Sequence, residues 1–238
     1  MNTKKRLKNL KNIAPDYPRI PHLDKSISNM THDDIELESV ISFPFTGWVQ
    51  EKLDGSNMGV SWTSGPVLRN RNHVLKKGYI DKDTPAKLQF RPAWNWLHEH
   101  GKEIRDISTE CMSPITIYGE WMYAKHSIEY NKLPDLFMAY DIFSVEDDKF
   151  LSPDVVDELL SKTSIKYIKP HLVTFNNVND IVEYSESSSD YRNGVREGIV
   201  IKISNGRFIE KSFKVVNRHF IRREDFNEVL IKNKVLLK

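Results

Sequence analysis

The residue with the clearest potential for covalent chemistry is Lys52, in the run Glu51-Lys52-Leu53-Asp54-Gly55-Ser56-Asn57. A lysine amine acts as a nucleophile only when it is deprotonated, and its ordinary pKa is about 10.4. A desolvated pocket or neighbouring cations would therefore have to lower that pKa. Because Asp-Gly is also an ordinary turn pair, the run alone is more often a solvated lysine beside a hairpin turn.

Charged residues recur further along the chain at the ends of apolar stretches. Glu120 ends the stretch that begins at Ile115, and Asp141 lies inside the apolar run 136–143. A buried aspartate without a partner is costly, so Asp141 is expected to be hydrogen-bonded or to lie outside the core. A third stretch begins at Glu197 and ends at Lys202, and Lys211 and Lys214 follow it. Each residue alone could also be a surface acid or a lysine at a sheet edge.

Periodicity and turn residues predict an α+β fold of antiparallel sheets with helices packed on them. Strands are predicted at 47–52, 58–63, 67–71, 115–120, 136–143, 198–203 and 208–216. Helices are predicted near 33–40, 92–107, 153–160 and 178–184, the third of them opened by Ser152-Pro153. The sequence predicts that polar residues at several strand ends converge on one site.

Composition indicates a globular protein of one large or two small domains, with 238 residues and 29% charged residues. Its mean hydropathy is −0.52, and no apolar run approaches the roughly 20 residues of a membrane helix. The lysine-rich N-terminus is not followed by the apolar segment of a secretory signal. The single cysteine, Cys111, excludes an intramolecular disulfide and is interpreted as a small buried hydrophobe. We expect a cytoplasmic protein, in a host cell if it is viral.

The formal net charge is only +2, but basic residues concentrate at both termini. From Lys211 onward there are eight lysines and arginines against three acids. Such a distribution allows a positive surface for a polyanion, and it equally allows solvated lysine-rich termini. Charge alone does not decide the function.

In this order, the segments together resemble the motifs of the covalent nucleotidyltransferases, which include ATP-dependent RNA and DNA ligases and mRNA capping enzymes. The matching positions are Lys52-Leu53-Asp54-Gly55, Arg71, Tyr118-Gly119-Glu120, Ala139-Tyr140-Asp141-Ile142 and Glu197 to Lys202. The last motif of that superfamily, usually K-x-K, is the weakest match. Lys214 supplies its first lysine, and Val216 stands where the second would be.

Finer features resemble the phage and bacterial RNA ligases, over roughly residues 15–222. These features are Glu51 and Asn57 on either side of the nucleophile, the run from Gly119 to His126, and the lead-in Tyr17 to Leu23. The resemblance implies a ligase-type nucleotidyltransferase (ATP-grasp-like) fold. It also implies an enzyme that uses ATP and Mg²⁺, with Mn²⁺ as an alternative metal, to join RNA ends that carry a 5′-phosphate and a 3′-hydroxyl.

The resemblance also assigns roles to individual residues. Lys52 would attack the α-phosphate, cations would keep it deprotonated, and Glu120 would bind the ribose. Tyr140 would contact the adenine, with Phe143 as the alternative, and Arg71 would hold ribose or the incoming end. The implied catalytic residues are Lys52, Asp54, Glu120, Glu197, Lys202 and Lys214. The implied nucleotide-binding residues are Glu51, Lys52, Asn57, Arg71, Glu120, Tyr140, Lys202 and Lys214, and the implied metal ligands are Asp54 and Glu197.

Two departures from the superfamily limit the interpretation. Only about 22 residues follow Val216, too few for the usual oligonucleotide-binding barrel, so we expect one domain over 1–238. Residues 1–45 would wrap that domain and 217–238 would form a short helical tail. The incomplete last motif leaves open whether Lys211 or Lys214 contacts phosphate. A DNA ligase, a capping guanylyltransferase and a non-catalytic end-binding protein remain alternatives, and a separate end-healing kinase or phosphatase is a possible partner.

Overall fold

The structure is a computed structural model, and it describes residues 13–75, 88–221 and 231–236. Within them the chain forms two antiparallel sheets with short helices packed on them, so the predicted α+β fold is confirmed. The strands are β1 (Phe45–Lys52), β2 (Ser56–Trp62), β3 (Pro66–Asn70), β4 (Val74–Leu75), β5 (Ile115–Trp121), β6 (Phe137–Ser144), β7 (Lys149–Phe150), β8 (His171–Phe175), β9 (Gly198–Asn205) and β10 (Phe208–Val216). The helices are α1 (Ala93–Glu99), α2 (Gly101–Glu110), α3 (Pro153–Ser161) and α4 (Val178–Ser185).

The first sheet has the strand order β10-β9-β1-β8. Strand β9 pairs with β1 so that Gly198 lies opposite Lys52, and it pairs with β10 so that Val200 lies opposite Lys214. The residues on one face form a core of β-branched and aromatic side chains that packs against α4. This pairing brings the C-terminal ends of β1 and β10 and the N-terminal end of β9 to the same end of the sheet.

The second sheet has the order β4-β3-β2-β5-β6-β7 and carries the larger core. Helices α1, α2 and α3 cover it, with Leu97, Ile104 and Leu160 fully buried. In β2, Asn57 lies opposite Glu120 of β5. A register irregularity lies between Tyr118 and Gly119, directly before Glu120 near the end of β5. At Gly119 a Cβ would lie 2.5 Å from the Phe137 ring, so the strand tolerates only glycine there without rearrangement.

The sequence-based elements agree with the observed ones at most positions, although the two-residue strands β4 and β7 were not predicted. Three larger differences have a physical reason. Residues 33–40 form no helix, because the Asp34 carboxylate accepts hydrogen bonds from the backbone and hydroxyl of Thr31 and stabilises a turn. Strand β8 was missed, although its run of β-branched residues after Pro170 is a strand signal. The predicted 92–107 helix is two helices, which meet at His100.

The segments at the two termini both pack on the sheets. Residues 21–23 run beside β10. Residues 231–236 run beside 123–133, where Asn233 Nδ2 donates to Met122 O and Ala124 O. Residues 217–221 and 231–236 form no helix, and 222–230, the middle of the predicted helical tail at 217–238, lie outside the described residues, so that tail stays a prediction. Cys111, expected to be buried, is only half-buried.

Candidate active site

Lys52 is the last residue of β1, where the chain leaves the first sheet for the second. Strand β1 pairs with β9 and β8, whereas β2, only four residues further on, pairs with β3 and β5. Asp54 and Gly55 therefore connect two sheets and do not form the turn of a simple hairpin. The side chain of Lys52 is 26% exposed and lies in the space between the sheets.

A cavity of about 530 Å³ fills this space. Its lining includes eight residues that the sequence predicts to be functional: Glu51, Lys52, Asn57, Arg71, Glu120, Tyr140, Lys202 and Lys214. It also includes Tyr17, Asp34 and Gln50, to which sequence reasoning assigned no role. Tyr17 belongs to the lead-in that was noted only for its resemblance, and Asp34 lies where a helix was expected. Sequence spacing gives no signal that either side chain reaches the site.

Carboxylates dominate the immediate surroundings of Lys52. Its Nζ lies 2.5 Å from Oε1 of Glu197, whose side chain is only 4% exposed. Burial lowers the pKa of Lys52, but the negative charges of Glu197, Asp54 and Glu120 outweigh burial and raise the pKa above its ordinary value. The charged groups closest to Lys52 are thus carboxylates, whereas the ammonium groups of Lys202 and Lys214, which were expected to lower this pKa together with a metal, are paired with Asp141 and Asp34. In these surroundings Lys52 is an ammonium paired with Glu197.

Glu120 faces the same lysine from β5. Burial raises its pKa to about 8, and the negative charges of Glu197 and Asp54 add to the rise, while Lys52 opposes it. Its Oε1 accepts a hydrogen bond from the backbone N–H of Gly55 at 3.2 Å. The site thus holds more buried carboxylate than one lysine neutralises.

This raised pKa predicts how stability depends on pH. The folded protein keeps the Glu120 proton up to about pH 8, whereas an unperturbed glutamate releases it near pH 4.5. Because the folded state then binds more protons, this contribution is fully present below pH 4.5 and is lost as pH rises towards 8. We expect Glu120→Gln, which stays neutral, to show a smaller fall in melting temperature over this range in EDTA. Exposed Glu38→Gln should behave like the wild type, and an unchanged pH dependence in Glu120→Gln would contradict the prediction.

Asp54 and Glu51, which lie close to Lys52 in the chain, are both held by hydrogen bonds. Oδ2 of Asp54 accepts from the backbone N–H groups of Ser127 at 2.6 Å and Ile128 at 3.1 Å. Glu51 accepts from Ser189 Oγ at 2.5 Å and from the backbone of Asp190 at 3.0 Å. Asp54 is not among the residues that line the cavity, whereas Glu51 is. Both carboxylates fix loops around the end of β1.

Lys202 lies in β9 and forms a buried ion pair. Its Nζ lies 2.6 Å from Asp141 Oδ1 and also donates to Gln50 Oε1 at 2.5 Å. Lys202 and Asp141 are 1% and 2% exposed. Burial lowers the pKa of Lys202, and Asp141 opposes this effect. The expectation that Asp141 is hydrogen-bonded is confirmed, and Lys202 reaches the cavity wall with its ammonium engaged by Asp141.

Aromatic side chains form one wall of the cavity. Tyr140 accepts a hydrogen bond from Asn57 Nδ2 at 2.5 Å, and its ring contacts that of Tyr17 edge-on at 5.4 Å. Tyr17 also donates to Asp141 Oδ2 at 2.6 Å. Phe143, the alternative aromatic, is not among the lining residues and packs against Phe150 at 5.1 Å. Of the two aromatic residues considered for the adenine, only Tyr140 faces the cavity.

The cationic side of the cavity is formed by Lys214 and Arg71. Lys214 is 17% exposed and lies 3.2 Å from Asp34, while Lys211 bonds to Ser39 and is not among the lining residues. Burial lowers the pKa of Lys214, and the charges of Lys52 and Arg71 lower it further. The geometry therefore favours Lys214 over Lys211 for a phosphate in the cavity.

The site suits a hard cation that keeps water ligands. Among the described residues, no group of three or more His, Cys, Asp or Glu side chains is arranged to hold a metal alone. Mg²⁺, however, commonly takes only one or two carboxylates and completes its shell with water and phosphate oxygens. Glu120 and Glu197 both face Lys52. The crowding that raises the pKa of Glu120 fits such an ion, because a bound cation would replace the Glu120 proton.

Most residues of this site lie within a longer stretch of sequence that matches a known family. The sequence model of the family described as RNA ligase matches residues 46–216, well over half of the chain. This chain belongs to the RNA ligase family. The matched region begins in β1 and ends with β10, so it contains every strand of both sheets.

Solved structures of RNA ligases share the fold of this family member. Three forms of a Naegleria gruberi RNA ligase match with TM-scores of 0.54: an apo variant, the enzyme with PPi, and a variant with ATP and Mn. Their identities to this chain are 21%, 22% and 20%, which show likeness of fold alone. Each match covers 72% of this chain and 49%, 49% and 50% of the solved chains. This chain thus spans about half the length of those ligases.

One further comparison and a search of the helices are both negative. No curated protein sequence matches this RNA ligase family member. In the part of the chain that the structure describes, no helix is long and apolar enough to cross a membrane.

Proposed function

We propose that this protein is an ATP-dependent RNA ligase that works through a covalent lysyl-AMP at Lys52. The observation that carries the proposal is the position of the Lys52 amine, which lies in a cavity beside buried Glu197. Tyr140 and Lys214 line the same cavity. Family membership and the fold of the Naegleria RNA ligase solved with ATP and Mn support the same chemistry.

In the first step a bond forms between Lys52 Nζ and the α-phosphorus of ATP. The bond to the β-phosphate oxygen breaks, pyrophosphate leaves, and the amine loses its proton. Lys52 must first give up its ion pair with Glu197, since a protonated amine has no lone pair to donate. Glu197 is 2.5 Å from the amine and is the nearest group for that proton. The later steps transfer AMP to a 5′-phosphate and then release it when a 3′-hydroxyl attacks.

The lining residues have distinct proposed roles. Lys214 and Arg71 place positive charge where phosphate oxygens would lie, which stabilises charge in phosphoryl transfer. Tyr140 offers its ring to the base and Glu120 its carboxyl to the ribose. Within the described residues, Asn57 Oδ1 is buried without a hydrogen-bond partner, so Asn57 is proposed to accept from the nucleoside. Lys202 and Glu51 also line the cavity and are proposed to border the bound nucleotide.

A divalent cation, with Mg²⁺ preferred, is proposed to bind Glu197, with Glu120 beside it. Bound there, the ion would neutralise carboxylate charge and polarise the phosphate. The Asp54 carboxylate, named as a metal ligand from the motif, accepts two backbone hydrogen bonds; it is proposed to act through water or by positioning the turn. The substrate is proposed to be RNA with 5′-phosphate and 3′-hydroxyl ends in RNA repair, with end-healing enzymes supplied separately.

The proposal is tested by incubating the purified protein with α-labelled ATP and Mg²⁺ and mapping the labelled peptide by mass spectrometry after denaturation. We expect AMP on the peptide that contains Lys52 and no label from GTP. Label transferred to the protein from GTP and not from ATP would favour a guanylyltransferase. The absence of any adduct, with intact mass also showing no AMP carried through purification, would favour a non-catalytic end-binding protein.

Substrate choice is tested on matched RNA and DNA nicks with the same flanking sequence. Faster sealing of the RNA nick supports an RNA ligase. Equal or faster sealing of the DNA nick would replace this proposal with a DNA ligase while leaving the lysyl-AMP chemistry intact.

A further inference from the structure

The N-terminal part of the described chain covers β10 where Lys214 lies. The backbone N–H of Leu23 donates to Lys214 O at 2.9 Å, and that of Lys214 donates to Pro21 O at 2.9 Å. A second extended stretch lies outside the first, since the N–H of His22 donates to Ile35 O at 2.8 Å. Residues 21–23 and 35–37, here called the edge segment, therefore add two short stretches to the sheet beside the cavity.

Asp34 directly precedes the second stretch of the edge segment, and its carboxylate contacts the ammonium of Lys214. Oδ1 of Asp34 lies 3.2 Å from Lys214 Nζ and 3.4 Å from His22 Nε2, and each member of the Asp34–Lys214 pair is 17% exposed. Oδ2 accepts from the N–H and hydroxyl of Thr31 at 3.0 and 2.9 Å. Because that turn fixes the carboxylate, Asp34 holds one definite position at the cavity wall.

Asp34 is the negative partner in an otherwise cationic surrounding. Burial, Lys52 and Arg71 all lower the pKa of Lys214, and Asp34 raises it. His22 adds no positive charge near neutrality, because burial and the nearby lysines lower its pKa to about 4. Its Nδ1 bonds to Ser28 at 2.5 Å, which fixes the ring against Asp34. The charged and titratable groups facing Lys214 are thus Asp34, His22, Lys52 and Arg71.

We propose that Asp34 is a positioning residue of the ligase, which keeps the Lys214 ammonium charged and directed into the cavity. The catalytic part of this statement rests on the proposed function, whereas the charge state of Lys214 does not. Without Asp34, a largely buried ammonium would face two other cations, and it would lose its proton at a lower pH. That loss removes positive charge from the site where phosphate is expected.

The first test measures the protonation of Lys214 directly and needs no ligase activity. Competitive labelling with acetic anhydride across pH, read by mass spectrometry on the Lys214 peptide, gives its titration. We expect Asp34→Asn to titrate at lower pH than the wild type, and Asp34→Glu to lie close to the wild type. Asp33→Asn is the matched control, since the neighbouring Asp33 is 77% exposed and does not contact Lys214. Identical labelling of Lys214 in Asp34→Asn and wild type would overturn the proposal.

The second test measures the rate of lysyl-AMP formation against pH at saturating ATP. We expect Asp34→Asn to lose at least about tenfold in rate at alkaline pH. The alkaline limb of its pH–rate profile should move to lower pH. In a Lys214→Arg background the same change should leave the limb in place, because arginine stays charged. A shift that persists with arginine would overturn the proposal.

The outcomes separate this proposal from the proposed function. If the wild type forms no lysyl-AMP, the ligase assignment fails, while the labelling result still decides whether Asp34 sets the charge of Lys214. If Asp34→Asn does not fold, the comparison of Asp34→Glu with Asp34→Ser by labelling decides it. A Lys214 titration in Asp34→Glu that matches Asp34→Ser would overturn the proposal.

Discussion

A Lys52→Ala variant should form no detectable lysyl-AMP, a loss of at least about 10⁴-fold relative to the wild type. The side chain supplies the only atom that we propose to bond to phosphorus, and no other amine is as close to Glu197 in the described part of the site. The measurement is retention of label from α-labelled ATP on the denatured protein. Lys52→Arg should fail as well, because a guanidinium does not deprotonate.

The matched control for Lys52 is Lys211→Ala. Lys211 lies on the same sheet, but it bonds to Ser39 and does not line the cavity, so its loss should leave adenylylation near the wild-type rate. Residual label in Lys52→Ala that maps to another lysine would contradict the assignment of the nucleophile. Circular dichroism separates a chemical effect from unfolding, which matters because Lys52→Ala leaves Glu197 buried without its cationic partner.

Asp141→Ala should cause the largest loss of stability of any single change in the site. It leaves Lys202 almost fully buried with an unpaired charge, and it removes the acceptor for the Tyr17 hydroxyl. Breaking one side of a buried ion pair costs about 3–5 kcal/mol. For a chain of this length such a cost lowers the melting temperature by roughly 6–20 °C. Thermal and urea unfolding of the two proteins measure it.

Two variants show whether the unpaired charge is the cause. Lys202→Met combined with Asp141→Ala removes both charges, so it should be more stable than Asp141→Ala alone. Asp106→Ala breaks the exposed pair with Lys102, in which the side chains are 58% and 79% exposed, and it should have a much smaller effect. If the double variant is less stable than the single one, packing of Lys202 matters more than its charge.

The strands and the order of the motifs were predictable because they depend on local signals. Alternating apolar residues and turn pairs mark β1, β9 and β10, and the bounds predicted for β10 agree with the structure. Convergence of Lys52, Glu120 and Lys202 was expected from their positions at strand ends. These positions are fixed by register, so a strand correctly placed along the chain also places its polar end.

Contacts that depend on irregular backbone were not predictable. Nothing in the spacing of Asp34 indicates that it meets Lys214, 180 residues away, and helix propensity suggested a different conformation. The resemblance implies that cations and a metal hold Lys52 deprotonated, yet the charged side chains that act most strongly on Lys52 are carboxylates. Local pattern gives the identity of charged groups but not which of them lie closest in the folded chain.

The pairing of residues 231–236 with 123–133 has a consequence for when the site becomes complete during synthesis. The N–H of Lys125 donates to Ile231 O at 2.7 Å, and the Asn233 side chain bonds three backbone groups of the 122–130 stretch. That stretch in turn supplies the two N–H groups that hold Asp54 beside the nucleophile. A nascent chain that has already folded both sheets on the ribosome would still lack this support. We therefore expect the capacity to react with ATP to appear only after residues 231–236 have left the exit tunnel, and not when the two sheets alone have folded.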